Sequence, residues 1–464
     1  MRLSALLFIL FVTCELHAQI RLPAIFNDHM VIQQQTTLPI WGWAGPSQNV
    51  TIKVSWDTTT IRTKADNGTL WTASIKTPGA GGPHTITIKA GDHVRTLEDV
   101  LSGEVWLASG QSNMEWSMDA AADGKPLVGS INEPNIRLFH VPLASASTLQ
   151  ARGEGEWKLC DKENVGSFSA VAFFFGRKLN QNLNIPIGLI NASWGGSPAE
   201  AWMPKEAVES NPQLVQSASK LNKEQPWAPV TPGVLFNAMI NPLVPFQLGG
   251  AIWYQGEANT SAPDTYKMLM ETLIKEWRRQ FQSDFPFYYV QIAPFSGYGD
   301  NSGTLIREQQ VKMLEIPKTG MAVISDQVDD VKDIHPQYKK TVGERLADIA
   351  LSNVYGKQGI AHASPLYKSM KVEKNKIRIE FDNAPNGLAA KGGELSEFTI
   401  AGEDQKFYPA KARIEKGAVI VSAKEVKNPV AVRFGWTNGS IPNLFSKEGL
   451  PVPSFRTDDW PANQ

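Results

Sequence analysis

Val105-Trp106-Leu107-Ala108, followed one residue later by Gly110-Gln111-Ser112-Asn113-Met114, sets a serine just past the end of an apolar run. A short run without polar alternation reads as a strand buried on both faces, the kind that parallel sheets use. A serine on the turn after such a strand, flanked by small and polar residues that leave its hydroxyl open, is where an α/β hydrolase holds its nucleophile. The same position also suits a helix N-cap. Three further stretches favour the catalytic reading: Ile190-Asn191-Ala192-Ser193-Trp194-Gly195-Gly196, Ile252-Trp253-Tyr254-Gln255-Gly256-Glu257 and Asp333-Ile334-His335-Pro336. They follow in that order, each at or near the end of a strand-like run.

Together the four blocks resemble the SGNH hydrolase superfamily and, within it, the sialate O-acetylesterase family. The resemblance also takes in Asn27-Asp28-His29-Met30-Val31 and Gly449-Leu450-Pro451-Val452-Pro453-Ser454-Phe455-Arg456-Thr457, so it spans nearly the whole chain after residue 18. It implies a three-layer α/β/α domain with a parallel sheet and a serine carbohydrate esterase that removes O-acetyl groups from glycans. O-acetylated sialic acid is the implied substrate, and an acetylated xylan or xyloglucan is the rival. A non-catalytic glycan-binding protein built on the same framework is the rival from another class.

The texture of the chain agrees with that architecture. Residues 19–99 alternate apolar with polar positions, as in Val50 to Trp56 and His84 to Lys89, and predict an antiparallel β-sandwich-like domain. Residues 100–355 change to apolar strands at Glu104 to Ala108, Ile185 to Asn191, Gly250 to Tyr254, Phe287 to Ile292 and Met321 to Ser325. Helical stretches at Ala170 to Asn180, Tyr266 to Gln282, Leu305 to Leu314 and Lys339 to Ala350 lie between and after them. Strands joined by helices predict a parallel sheet covered on both faces, with ligands beyond the carboxyl ends of its strands. Residues 356–464 return to alternation and predict a second β-rich segment, packed against the first.

Lys+Arg 45 against Asp+Glu 46 gives no electrostatic footprint for nucleic acid or an anionic membrane. Fourteen tryptophans are many for 464 residues, and indole faces stack on sugar rings as well as filling cores. Residues 1–18 read as a secretory signal: Arg2, an apolar run from Leu3 to Val12 too short to span a bilayer, and a small residue at Ala18. Cleavage there predicts an exported protein and leaves Cys160 as a buried free thiol.

A serine hydroxyl needs a neutral imidazole to take its proton as it attacks an ester carbonyl. Ser112 and His335 form the expected pair. The superfamily places the supporting acid three residues before the histidine, and here that position is Lys332. Asp333 is favoured because a short turn brings its carboxylate back to the ring, and Asp330 is the alternative. The resemblance draws the oxyanion donors from the Ser112 backbone N–H, a glycine of the second block and an amide of the third. These are Gly196, with Gly195 beside it, and Gln255, which stands where the superfamily usually has asparagine. Arg307-Glu308 either meets a substrate carboxylate or pairs with other side chains, and pairing is the expected role. This chemistry needs no metal or cofactor, and Asp28-His29 alone does not make a metal site.

Overall fold

A computed structural model describes residues 19–221 and 227–461. The expected signal segment, with Cys14 and His17, lies outside the described residues.

The core of the molecule is a sheet built on β1 (His93–Gly110), β2 (Asn132–His140), β3 (Trp157–Asp161), β4 (Ile187–Ser193), β5 (Gly250–Tyr254), β6 (Phe287–Val290) and β7 (Thr319–Ala322). Its strand order is β7-β6-β5-β1-β4-β2-β3. Neighbouring strands run parallel from β7 through to β2, and the edge strand β3 is antiparallel to β2. The sheet is therefore mixed at one edge, where a wholly parallel one was expected.

Alternate residues of the central strands serve two cores. Val105, Leu107, Ala251 and Trp253 face one, and Trp106, Ala108, Ile252 and Tyr254 face the other. On the second face lie α2 (Ala170–Leu183) and α5 (Lys340–Asn353), and on the first α3 (Tyr266–Gln280) and α4 (Ser302–Lys312). The result is the three-layer α/β/α arrangement. Helix α3 shows why: Tyr266, Leu269, Met270, Leu273, Ile274 and Trp277 recur at helical spacing and are all buried. Each such side chain contributes about 1.5–3 kcal/mol of burial. Helix α2 begins where the Ser169 hydroxyl accepts from the Ala172 N–H and ends at Asn184, whose φ of 55° is left-handed. Its Phe173, Phe174 and Phe175 are all buried.

The expected division between residues 99 and 100 falls inside β1. This 18-residue strand first pairs in the amino-terminal sheet and then forms the middle of the parallel one. The change of sheet comes at Gly103 and Glu104: pairing with the amino-terminal strands runs to Ser102 and Gly103, and pairing with β4 starts at Glu104. The amino-terminal strands share a hydrophobic core with the α3 face. The carboxyl-terminal β segment has its own core, from Ile377 to Phe455. It docks on α4 and the loop before it: Arg456 pairs with Glu308 at 2.8 and 3.1 Å, buried Arg307 donates to the Thr437 and Asn438 carbonyls, and Asn438 donates to the Tyr298 carbonyl. Arg307-Glu308 is thus a clamp between layers.

The β1 end is unusually tight. Gly110 has φ +136°, and a Cβ there would lie 2.2 Å from the Tyr254 carbonyl oxygen. Gly110→Ala is therefore expected to lose about 3 kcal/mol or more, from backbone strain of ~1–3 kcal/mol and overpacking of similar size. Urea unfolding measures this, and an unchanged midpoint would contradict the close approach of β1 to β5.

Candidate active site

The carboxyl ends of β1, β4 and β5 meet at one rim, with Gly110 in register with both Ser193 and Tyr254. The chain turns after Gly110, and the Gln111 N–H donates to the Tyr254 carbonyl at 3.0 Å. The one-turn helix α1 (Ser112–Glu115) follows. Ser112 is thereby held at the rim, in the same layer as the turns after β4 and β5.

His335 arrives on the loop between β7 and α5. Its Nε2 lies 2.9 Å from Ser112 Oγ. The Trp116 ring stacks on the imidazole, with centroids 4.9 Å apart and planes 22° from parallel. Burial lowers the His335 pKa below the ordinary value, the Lys339 charge lowers it further, and Asp333 opposes both. The imidazole is therefore neutral at neutral pH, the form able to accept a proton.

Asp333 sits two residues before His335 on an Asx-type turn in which its Oδ1 accepts from the His335 N–H at 2.8 Å. The same oxygen is 3.8 Å from His335 Nδ1, longer than a hydrogen bond, while Gln337 Nε2 donates to Oδ2 at 3.0 Å. The carboxylate faces the ring as a nearby charge. Asp330 instead accepts from the Lys332 N–H at 2.9 Å, and Asp326 is held by Arg345 at 2.6 and 2.8 Å. Of these acids, Asp333 is the one whose charge bears on His335.

The two glycines after β4 differ in what engages them. The Gly195 N–H donates to Glu115 Oε2 at 2.6 Å. Burial raises the Glu115 pKa, opposed by this bond. Gly196 has φ +73°, and among the described residues its N–H meets no acceptor; nor does that of Ser112. Gln255 is buried, with Nε2 donating to Asn259 Oδ1 at 2.7 Å and facing the Ser197 carbonyl at only 3.4 Å. The Tyr266 hydroxyl donates to Gln255 Oε1 at 2.9 Å. Asn259 Oδ1 also accepts from the Ala199 N–H at 3.0 Å, which fixes the amide orientations. One Gln255 N–H is committed and the other only weakly held.

Three residues beneath the site form a cluster that the sequence did not assign. Asn113 and Glu257 stand in the quoted blocks without a role, Lys339 was not singled out, and all three are buried, with Asn113 bonded to both of the others. The spacing of Lys339, four residues after His335, was the one available cue. Elsewhere, Cys160 is a buried free thiol whose pKa burial pushes up. His29 pairs with Asp99 at 2.7 Å.

Residues 102–352 match the family model described as carbohydrate esterase, sialic acid-specific acetylesterase. Human sialate O-acetylesterase is 28% identical over 96% of this chain and 94% of its own. The mouse sialate O-acetylesterase is 30% identical over 76% of each. A carbohydrate acetylesterase from Xanthomonas citri, known by crystal structure, superposes with a TM-score of 0.87 at 37% identity, covering 95% of this chain and 100% of its own. A match of such extent, on a sheet whose rim carries the blocks on which the resemblance rested, makes this chain a member of the sialic acid-specific acetylesterase family and an esterase of glycans.

Proposed function

We propose that the protein is a serine esterase that removes O-acetyl groups from sialic acid in glycans, through an acetyl-enzyme on Ser112. The observation that carries the mechanism is the 2.9 Å contact of His335 Nε2 with Ser112 Oγ, at a rim where the Ser112 and Gly196 N–H groups have no acceptor among the described residues. His335 takes the hydroxyl proton as Oγ attacks the acetyl carbonyl. The resulting oxyanion is met by those two N–H groups and by the weakly held N–H of Gln255. His335 then returns the proton to the departing sugar oxygen, and the acetyl group stays on Ser112. Water, deprotonated by the same imidazole, attacks the acetyl carbonyl; the bond to Ser112 Oγ breaks as the imidazole returns that proton to it, and acetate leaves. Asp333 supports the transient imidazolium by charge.

The sialic acid assignment draws on the family description and on the names of the human and mouse relatives. Trp227, 65% exposed, lies against Gly196 and offers an indole face beside the reacting centre, which suits a sugar ring. Acetate release from O-acetylated sialosides and from acetylated xylan and xyloglucan oligosaccharides is the test. Preference for the sialosides supports the assignment, and preference for a plant oligosaccharide replaces the sugar while keeping the chemistry. No acetate from any of these or from an aryl acetate would favour a glycan-binding protein. The pattern of Arg2 to Ala18 supports export with cleavage near Ala18, checked by the amino-terminal sequence of the mature protein.

Gln255→Ala is expected to lower kcat about a hundredfold with little change in KM, since its amide meets charge that develops only in the transition state. A raised KM with kcat intact would make Gln255 a substrate-positioning residue.

A further inference from the structure

Lys339 is a buried lysine that the steps above do not use. Its Nζ donates to Asn113 Oδ1 at 2.7 Å, and Asn113 Nδ2 donates both to Glu257 Oε1 at 2.8 Å and to the Ile334 carbonyl at 3.1 Å. Asn113 is the neighbour of Ser112, and Ile334 the neighbour of His335. One amide thus ties the serine turn to the histidine loop across 221 positions of sequence. Its orientation is set from both sides, by an ammonium that only donates and a carboxylate that accepts.

We propose that Lys339, acting through Asn113, is a positioning residue that holds Ser112 and His335 at hydrogen-bond distance and brings its charge to bear on the imidazole. The second part follows from where the charge sits: Lys339 Nζ lies 5.6 Å from the Trp116 ring on which the imidazole stacks. The groups facing His335 are Asp333 on its own loop, Lys339 at the start of α5, and Ser112 and Trp116 on and after α1. Those facing Lys339 are Asn113, Glu257, Asp123 and Asp333, with the Trp116 and Tyr254 rings each 5.6 Å from Nζ. Burial pushes the Lys339 pKa down to about 7, against the pull of Glu257 and the two aspartates. Below that pH it is charged, which is where the acid limb of the His335 titration falls.

The proposal rests on the Ser112–His335 reading, and two substitutions separate its parts. Lys339→Gln keeps a donor for Asn113 but no charge, so kcat on the plateau should stay within about threefold of wild type. Its acid limb should move to higher pH, by about half a unit or more. Lys339→Met loses both, so the same shift should come with a fall in kcat of about ten- to a hundredfold and little change in KM, the result of a misplaced pair. A circular dichroism melt verifies folding, and the Gln variant carries the test if the Met variant does not fold. Wild-type acid limbs in both variants, or a Met variant with wild-type kcat, would overturn the proposal while Ser112→Ala remained inactive. An active Ser112→Ala would instead overturn the reading beneath it.

Discussion

Ser112→Ala is expected to fold as the wild type does and to lose esterase activity by roughly three to six powers of ten. Loss of a triad serine removes the covalent route and leaves only what the oxyanion donors and substrate binding supply. Ser112 Oγ has His335 Nε2 as its hydrogen-bond partner, so the substitution breaks one contact and leaves the imidazole stacked on Trp116. Stability should therefore change little. Initial rates on an aryl acetate and on an acetylated sialoside measure the loss, and turnover within tenfold of wild type would contradict the mechanism.

His335→Ala is expected to be impaired to a similar degree, because Ser112 would then have no base within reach. The pH profile gives the second half of this prediction. The base must be neutral, and burial together with Lys339 lowers its pKa. Activity should accordingly persist below the pH at which an unperturbed histidine, near about 6.5, would be half protonated, and fall only in more acid solution. A limb at or above the ordinary value would mean that Asp333 outweighs burial and Lys339. Asp333→Asn should lower the limiting rate and push the limb further down, since it removes the one charge that raises the pKa. Asp330→Asn should do neither.

Much of this architecture was legible because strand burial and residue type coincide. Gly250 to Tyr254 is a solid apolar run, and it forms β5 with the same bounds. Strands β2 and β3 escaped because Asn132-Glu133-Pro134-Asn135 opens the one with polar residues, and the other is a short edge strand with Lys158 and Leu159 exposed side by side. The change of texture at residue 99 has a related origin. A single strand that is half exposed in its first part and buried in its second reads as two textures, although its backbone is continuous. In the site, Ser112 and His335 stood out by their neighbours in sequence. That, among the described residues, the Gly195 N–H is engaged and the Gly196 N–H is not depends on the position of Glu115, which no spacing reveals. Lys339 was hidden most completely, since a lysine opening a helix reads as solvated, and its burial comes from Trp116, Tyr254 and Glu257 on other elements.

The most direct test of a covalent serine mechanism on an O-acetylated sialoside is to stop the reaction with acid during turnover and locate the acetyl group by peptide mass spectrometry. An acetyl adduct on the peptide containing Ser112, formed with the sialoside and absent in Ser112→Ala, is the predicted result. An adduct on another residue, or steady acetate release with no adduct under any quench time, would contradict it.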